Sequence, residues 1–203
     1  ENSEQIFGRL FTWFLVLITL AGLLVSVLAG DILRIMANPR YWGAAGVVPI
    51  IVLANIIFTL HYHFNIGLLL EKKTAWLARI NMFNAVLVLL LNWALISRWG
   101  ALGAAIATLI GFCVKSGLTY WASRRYYRTH FEVARVLKIL LAAACAFALV
   151  QPIRIMEPWL SLMAKALVIL ASYPLVLAFT RFLTPSEIQR ARTFRLRWRH
   201  GAP

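Results

Sequence analysis

The sequence predicts an all-α integral membrane protein of six transmembrane helices with both ends in the cytoplasm. Three observations carry that reading. Hydrophobic residues make up 62% of the chain, mean hydropathy is +0.77 and only 14% of residues are charged, a composition far more apolar than that of soluble domains. Charges cluster between apolar runs long enough to cross a bilayer, and the basic residues outside those runs alternate between rich and poor loops. A formal charge of +14 also fits nucleic-acid binding, but that function needs a basic face on a soluble fold, and here the cations separate apolar runs. Nucleic acid is therefore not an expected partner.

The first two spans are the clearest, because no charge occurs between Arg9 and Asp31 or between Arg40 and Glu71. Each gap exceeds the roughly 20 residues that a helix needs to cross hydrocarbon. They give spans at about 10–30 and 42–70. Span three, 74–97, is interrupted only by Arg79, and span four, 99–123, only by Lys115. Span five is the weakest, since only 139–153 is charge-free; it extends back to 134, with Arg135 and Lys138 snorkelling. Span six, 158–181, carries Lys165, which is read as snorkelling to the outer headgroups. Residues 1–183 thus form one six-helix lobe. Residues 184–203 form a basic cytoplasmic segment, in which Thr184, Pro185, Ser186 and Glu187 make a capping box and Ile188, Ala191, Phe194 and Trp198 recur at helical spacing. This segment is read as an interfacial helix or a disordered basic tail.

Orientation follows from the basic residues. One side collects Arg9, Lys72, Lys73, Arg124, Arg125, Arg128, Arg135 and Lys138, then the arginines from Arg181 onward; the other holds Arg34, Arg40, Arg98 and Arg154. The richer side is cytoplasmic by the positive-inside rule. Tryptophans mark both boundaries, with Trp13, Trp76 and Trp121 near the inner ends and Trp42, Trp93, Trp99 and Trp159 near the outer ones.

Polar residues inside the spans are the candidates for function, because hydrocarbon cannot satisfy an amide. On a wheel of about 100° per residue, Asn81, Asn84 and Asn92 fall within roughly a quarter of the circumference of span three. Asn55, Thr59, His63 and Gly67 recur every four residues along span two. Span four carries two small-residue rows, Gly100, Ala104 and Thr108 beside Gly103, Ala107 and Gly111, with Lys115 continuing the second. The glycines and alanines are read as packing, letting another backbone approach. Lys115 lies roughly 12 Å from its inner end, near the limit of snorkelling, and is read as a cavity-facing cation against snorkelling or structural pairing. The asparagines either line the same cavity or bridge helices. Arg79 lies opposite them and is close enough to the inner end to snorkel. Pro49, Pro152 and Pro174 are candidate breaks or kinks.

Several functions lack their residues. All seven acidic residues fall at or beyond the expected span ends, which leaves no intramembrane carboxylate for a proton or sodium relay. No nucleophile with its base, no carboxylate pair and no glycine-rich phosphate loop is present, so catalysis is not expected. His61 and His63 diverge on a helix and no metal or cofactor is expected. Cys113 and Cys145 are read as buried packing thiols. Because the chain opens at Glu1 without a signal-like segment, it is read as a piece of a longer protein.

The run Asn84, Leu91, Asn92, Gly100, then Gly103, Ala104, Ala105, Ile106, Ala107 and Thr108 resembles the hairpin in the C-terminal half of the polysaccharide exporters. These are the lipid-linked oligosaccharide flippases of the multidrug/oligosaccharidyl-lipid/polysaccharide superfamily. Gly67 to Thr74, with its Glu71-Lys72-Lys73 turn, and the basic, tyrosine-rich stretch after span four fit the same pattern. The resemblance covers about residues 7–140. It implies a six-helix lobe of a MATE-like transporter that works with an N-terminal lobe, the two rocking around a central cavity. The substrate it implies is an undecaprenyl-pyrophosphate-linked repeat unit, moved across the bacterial inner membrane for O-antigen, capsule or exopolysaccharide, with polysaccharide polymerase machinery as a partner. Lys115 would then attract pyrophosphate or acidic sugar, and Asn55, Asn81, Asn84, Asn92 and His63 would line the cavity. A cation-coupled drug exporter of the same superfamily is the main alternative, and a membrane enzyme of polysaccharide assembly a more distant one.

Overall fold

A computed structural model of the chain describes residues 3–125, 133–153 and 155–180, with side chains from residue 11 onward except at 133 and 134. Among the described residues every regular element is helical: α1 Ser3–Met36, a 3-10 helix Pro39–Gly46, α2 Val48–Leu70, α3 Thr74–Ser123, α4 Val133–Val150 and α5 Pro158–Phe179. Four of these, α1 from Phe11, α2, α3 and α5, are long and apolar enough to cross a membrane. The basic tail and Arg128, Arg154 and Arg181 lie outside the described residues.

Two boundaries differ from expectation at the first turn. Helix α1 continues through Asp31 to Met36 instead of stopping near residue 30, and α2 begins at Val48 rather than near 42. The intervening stretch winds as a 3-10 helix because Asn38 caps it, its Oδ1 accepting from the Arg40 backbone N–H at 3.1 Å, with Pro39 at the first position. Trp42 Nε1 donates to the Ala37 carbonyl at 3.2 Å and ties the segment back to the end of α1. Pro49 sits in the first turn of α2, where a missing N–H is harmless.

Helix α2 ends in a tight turn in which the Lys73 N–H donates to the Leu68 carbonyl at 2.9 Å and Lys72 takes a left-handed φ of 53°. The chain re-enters at once as α3, whose 50 residues are two helical arms joined at Gly100, with φ 54° and ψ −129°. That conformation belongs to glycine, since a Cβ would clash with the backbone there. The second arm folds back on the first: Gly111 packs on Val88, and Gly103 lies against the Leu95 carbonyl. The hairpin expected from residues 84–108 is therefore closed by glycine, not proline; Pro152 follows α4 in a turn and Pro174 lies within α5.

Helix α1 is the hub, packing on α2, α4 and α5, while α3 packs chiefly on α2. Leu15 and Leu23 of α1, Ile139 and Ala146 of α4, and Ile169 and Tyr173 of α5 form the main apolar cluster. A smaller one joins Leu68, Ile80 and Ala122 beneath the α2–α3 turn. Large apolar side chains also cover the outside, among them Leu89, Trp93, Leu167 and Phe179, as lipid permits and water does not. Consecutive helices run in opposite directions, so 31–46, the Gly100 bend, 150–153 and 155–158 share one end of the bundle, and the 70–74 turn and Arg124 share the other.

Candidate functional site

The polar face of α2 begins with residues that look after themselves. Asn55 is exposed and donates its Nδ2 to the Ile51 carbonyl one turn back at 2.8 Å, and Thr59 donates to the Asn55 carbonyl at 3.0 Å. Back-bonding of this kind satisfies a donor in an apolar setting but leaves the Asn55 amide oxygen outward. His63 stacks on Phe11 of α1, with ring centroids 4.0 Å apart, while His61 is buried against Phe58 at 5.7 Å. The two imidazoles thus have separate aromatic partners. Among the described residues no group of three or more His, Cys, Asp or Glu could hold a metal ion.

In α3 the amides divide between surface and interior. Asn81 is exposed, Asn92 donates to the Val88 carbonyl at 2.9 Å, and Asn84 turns its Oδ1 into the hairpin, where the oxygen is buried without a hydrogen bond. A Cβ on Gly111 would lie at ordinary contact distance from that oxygen, 3.7 Å, so it is Val88 and not the Asn84 amide that the opposing glycine makes room for. Gly103 and Ala107 are buried between the arms, Ala104 and Thr108 are half-buried, and Thr108 donates to the Ala104 carbonyl at 2.9 Å. Lys115 is half-buried and sets its Nζ over the Phe58 ring of α2 at 5.1 Å; Phe58 also stacks on Phe112 at 4.5 Å. The next residue, Ser116, donates to the Ile57 carbonyl at 3.1 Å, which fixes the register of α3 against α2.

Asn84 meets the second arm of α3 and Lys115 meets α2, whereas Asn55, Asn84, Asn92 and Lys115 do not bond to one another. Asn55 and Asn81 remain exposed, each on its own helix.

A polar cluster that sequence reasoning missed lies at the end of the bundle shared by α1 and α5. Asp31, only 3% exposed, accepts from Lys165 Nζ at 2.8 Å and from Ser161 Oγ at 3.1 Å. Lys165 does not snorkel: its ammonium is held by a carboxylate 134 residues earlier in the chain. Nor are the helices without a buried acid, because α1 carries Asp31 inside the bundle. Each residue looked terminal or isolated in sequence, and the one available signal was the four-residue spacing of Ser161 and Lys165 on a single helix face. Cavities of about 370 and 430 Å³ adjoin on either side and share Lys165, Gln151 and Ile153 in their walls. Cys113 and Cys145, expected to be buried, are exposed on the outer surface, where a small apolar thiol suits a lipid-facing position.

In comparisons with protein-family models, curated proteins and solved structures, nothing matches the chain.

Proposed function

We propose that the chain is a six-span transporter lobe, with both ends in the cytoplasm and α4 as its fifth span, that works with a second lobe by alternating access. Its proposed cargo is an undecaprenyl-pyrophosphate-linked oligosaccharide moved across the bacterial inner membrane for surface polysaccharide. The observation that carries this reading is the exposure of Asn55 and Asn81 on helices otherwise clad in apolar side chains. Both lie about 10 Å inside their helix starts, a depth at which lipid offers an amide no partner. A second protein surface or a wet cavity between two lobes supplies that partner.

The chemistry suits a glycan on an anionic carrier. Amides donate to and accept from sugar hydroxyls in directed pairs, and a lysine ammonium is a compact charge for phosphate. Lys115 lies over Phe58 of α2, with no carboxylate to neutralise it among the described residues. Glycine packing of the α3 hairpin makes the two arms one rigid body, as a rocking lobe requires.

The test is made in the intact protein, in cells that depend on it for surface polysaccharide. Asn55→Leu combined with Lys115→Leu is expected to abolish surface polymer while the protein stays at its normal level in the membrane. Unchanged polymer would overturn the assignment. A cation-coupled drug exporter is favoured by one observation, the buried carboxylate of Asp31. Asp31 is, however, already committed to Lys165 and Ser161, so it ranks second; drug resistance on expression, lost in Asp31→Asn while that variant stays at its normal level in the membrane, would reverse the order.

A further inference from the structure

The opposite end of the bundle carries an aromatic and cationic arrangement that none of the foregoing uses. Trp76, at the start of the first arm of α3, meets Trp121, at the end of the second, edge to face, with centroids 6.1 Å apart and planes at 77°. Each indole carries an arginine: Arg79 lies over Trp76 with its guanidinium carbon 5.8 Å from the ring centre, and Arg125 over Trp121 at 4.3 Å. The order Arg79, Trp76, Trp121, Arg125 thus runs across the open mouth of the hairpin. Leu68, Ile80 and Ala122 support it from below.

The contact matters because attraction of a cation to an indole ring uses no hydrogen bond, so the guanidinium N–H donors are not spent on it. Among the described residues neither arginine is paired with a carboxylate. The adjoining turns add Lys72, Lys73 and Arg124, against Glu71 as their one acid. Leu69 and Leu70, both exposed, continue the surface with apolar side chains. Preoriented cations at a helix end, flanked by tryptophan and bare leucine, match an amphiphile whose anionic head meets the arginines while its chains lie along the leucines.

We propose that this mouth of the α3 hairpin is a binding site for the phosphate headgroup of an anionic phospholipid of the surrounding leaflet. Two guanidiniums held on one indole pair bracket the headgroup, so the lipid bridges the two arms at the end away from Gly100. A free phosphate lacks the acyl chains that the leucine surface would cover.

The experiment uses the full-length protein reconstituted in phosphatidylcholine vesicles doped with brominated phosphatidylglycerol or, as a control, brominated phosphatidylcholine. Quenching that disappears in Trp121→Phe reports lipid at the site. Stronger quenching by the anionic lipid is expected, falling roughly fivefold for each arginine removed in Arg79→Gln and Arg125→Gln. In the unsubstituted protein the preference should also fall as salt rises, which tests the charge without risk to folding. A preference that survives both the double substitution and high salt overturns the proposal. Displacement of the brominated lipid by soluble pyrophosphate at constant ionic strength overturns it as well, because the ligand would then be a free phosphate group.

Discussion

Asp31 and Lys165 make the sharpest residue-scale case, because a buried ion pair gains little over an apolar pair yet is costly to break from one side. Asp31→Asn leaves the Lys165 ammonium without its counter-charge, and Lys165→Met leaves the carboxylate with only Ser161. Each single change is expected to lower the unfolding free energy in detergent by on the order of 3–5 kcal/mol. The double substitution Asp31→Leu with Lys165→Leu should recover most of that loss, since the pair leaves together and apolar side chains fill the space. Additive losses in the double variant would show that the two residues do not act as a pair. Why the sequence hid this pair is physical. A carboxylate near a span end reads as interfacial, and a lone lysine reads as snorkelling, until the packing of α1 on α5 brings them within 2.8 Å. The asparagines show the opposite case: spacing placed them on one helix face, but only tertiary packing decided that Asn84 turns inward and Asn81 does not.

The α3 hairpin is the element most legible in the sequence, and its glycines explain why. Three of them do different jobs: Gly100 supplies a backbone conformation, Gly103 lies against the Leu95 carbonyl, and Gly111 makes space for Val88. The consequences of adding a methyl differ accordingly. At Gly111 the obstacle is a side chain, so Gly111→Ala should cost about 1–3 kcal/mol and Val88→Ala in the same protein should relieve it. At Gly103 the obstacle is backbone, and no side-chain trimming is expected to rescue Gly103→Ala. Gly100→Ala meets no neighbour, yet should still cost about 1–3 kcal/mol through its φ of 54°. Thermal unfolding of the four variants checks all three statements. Rescue of Gly103→Ala by trimming a nearby side chain would mean the arms do not approach through their backbones. Less legible was the 3-10 helix after α1, since Tyr41 and Trp42 continue the apolar run of α2 and only the Asn38 cap with Pro39 distinguishes the segment.

At the scale of the whole molecule, alternation of helix direction sorts the described cations at the helix ends and turns of α1 to α3 into two groups. Arg34, Arg40 and Arg98 gather at one end, and Lys72, Lys73, Arg124 and Arg125 at the other. That sorting comes from packing alone and makes no reference to a membrane. The proposed orientation, from the positive-inside rule, puts the second end in the cytoplasm. Gly43 offers a probe for the first, because a Cβ there meets open space. Cys113 and Cys145 are exposed and must be removed beforehand. In that background Gly43→Cys is expected to react in intact cells with a maleimide that cannot cross the membrane. Lys72→Cys, in the turn at the opposite end, should react only after permeabilisation. The reverse pattern would invert the lobe, and labelling of both in intact cells would mean that α2 does not cross the bilayer. The comparison turns on α2 alone, since Gly43 precedes it and Lys72 follows it.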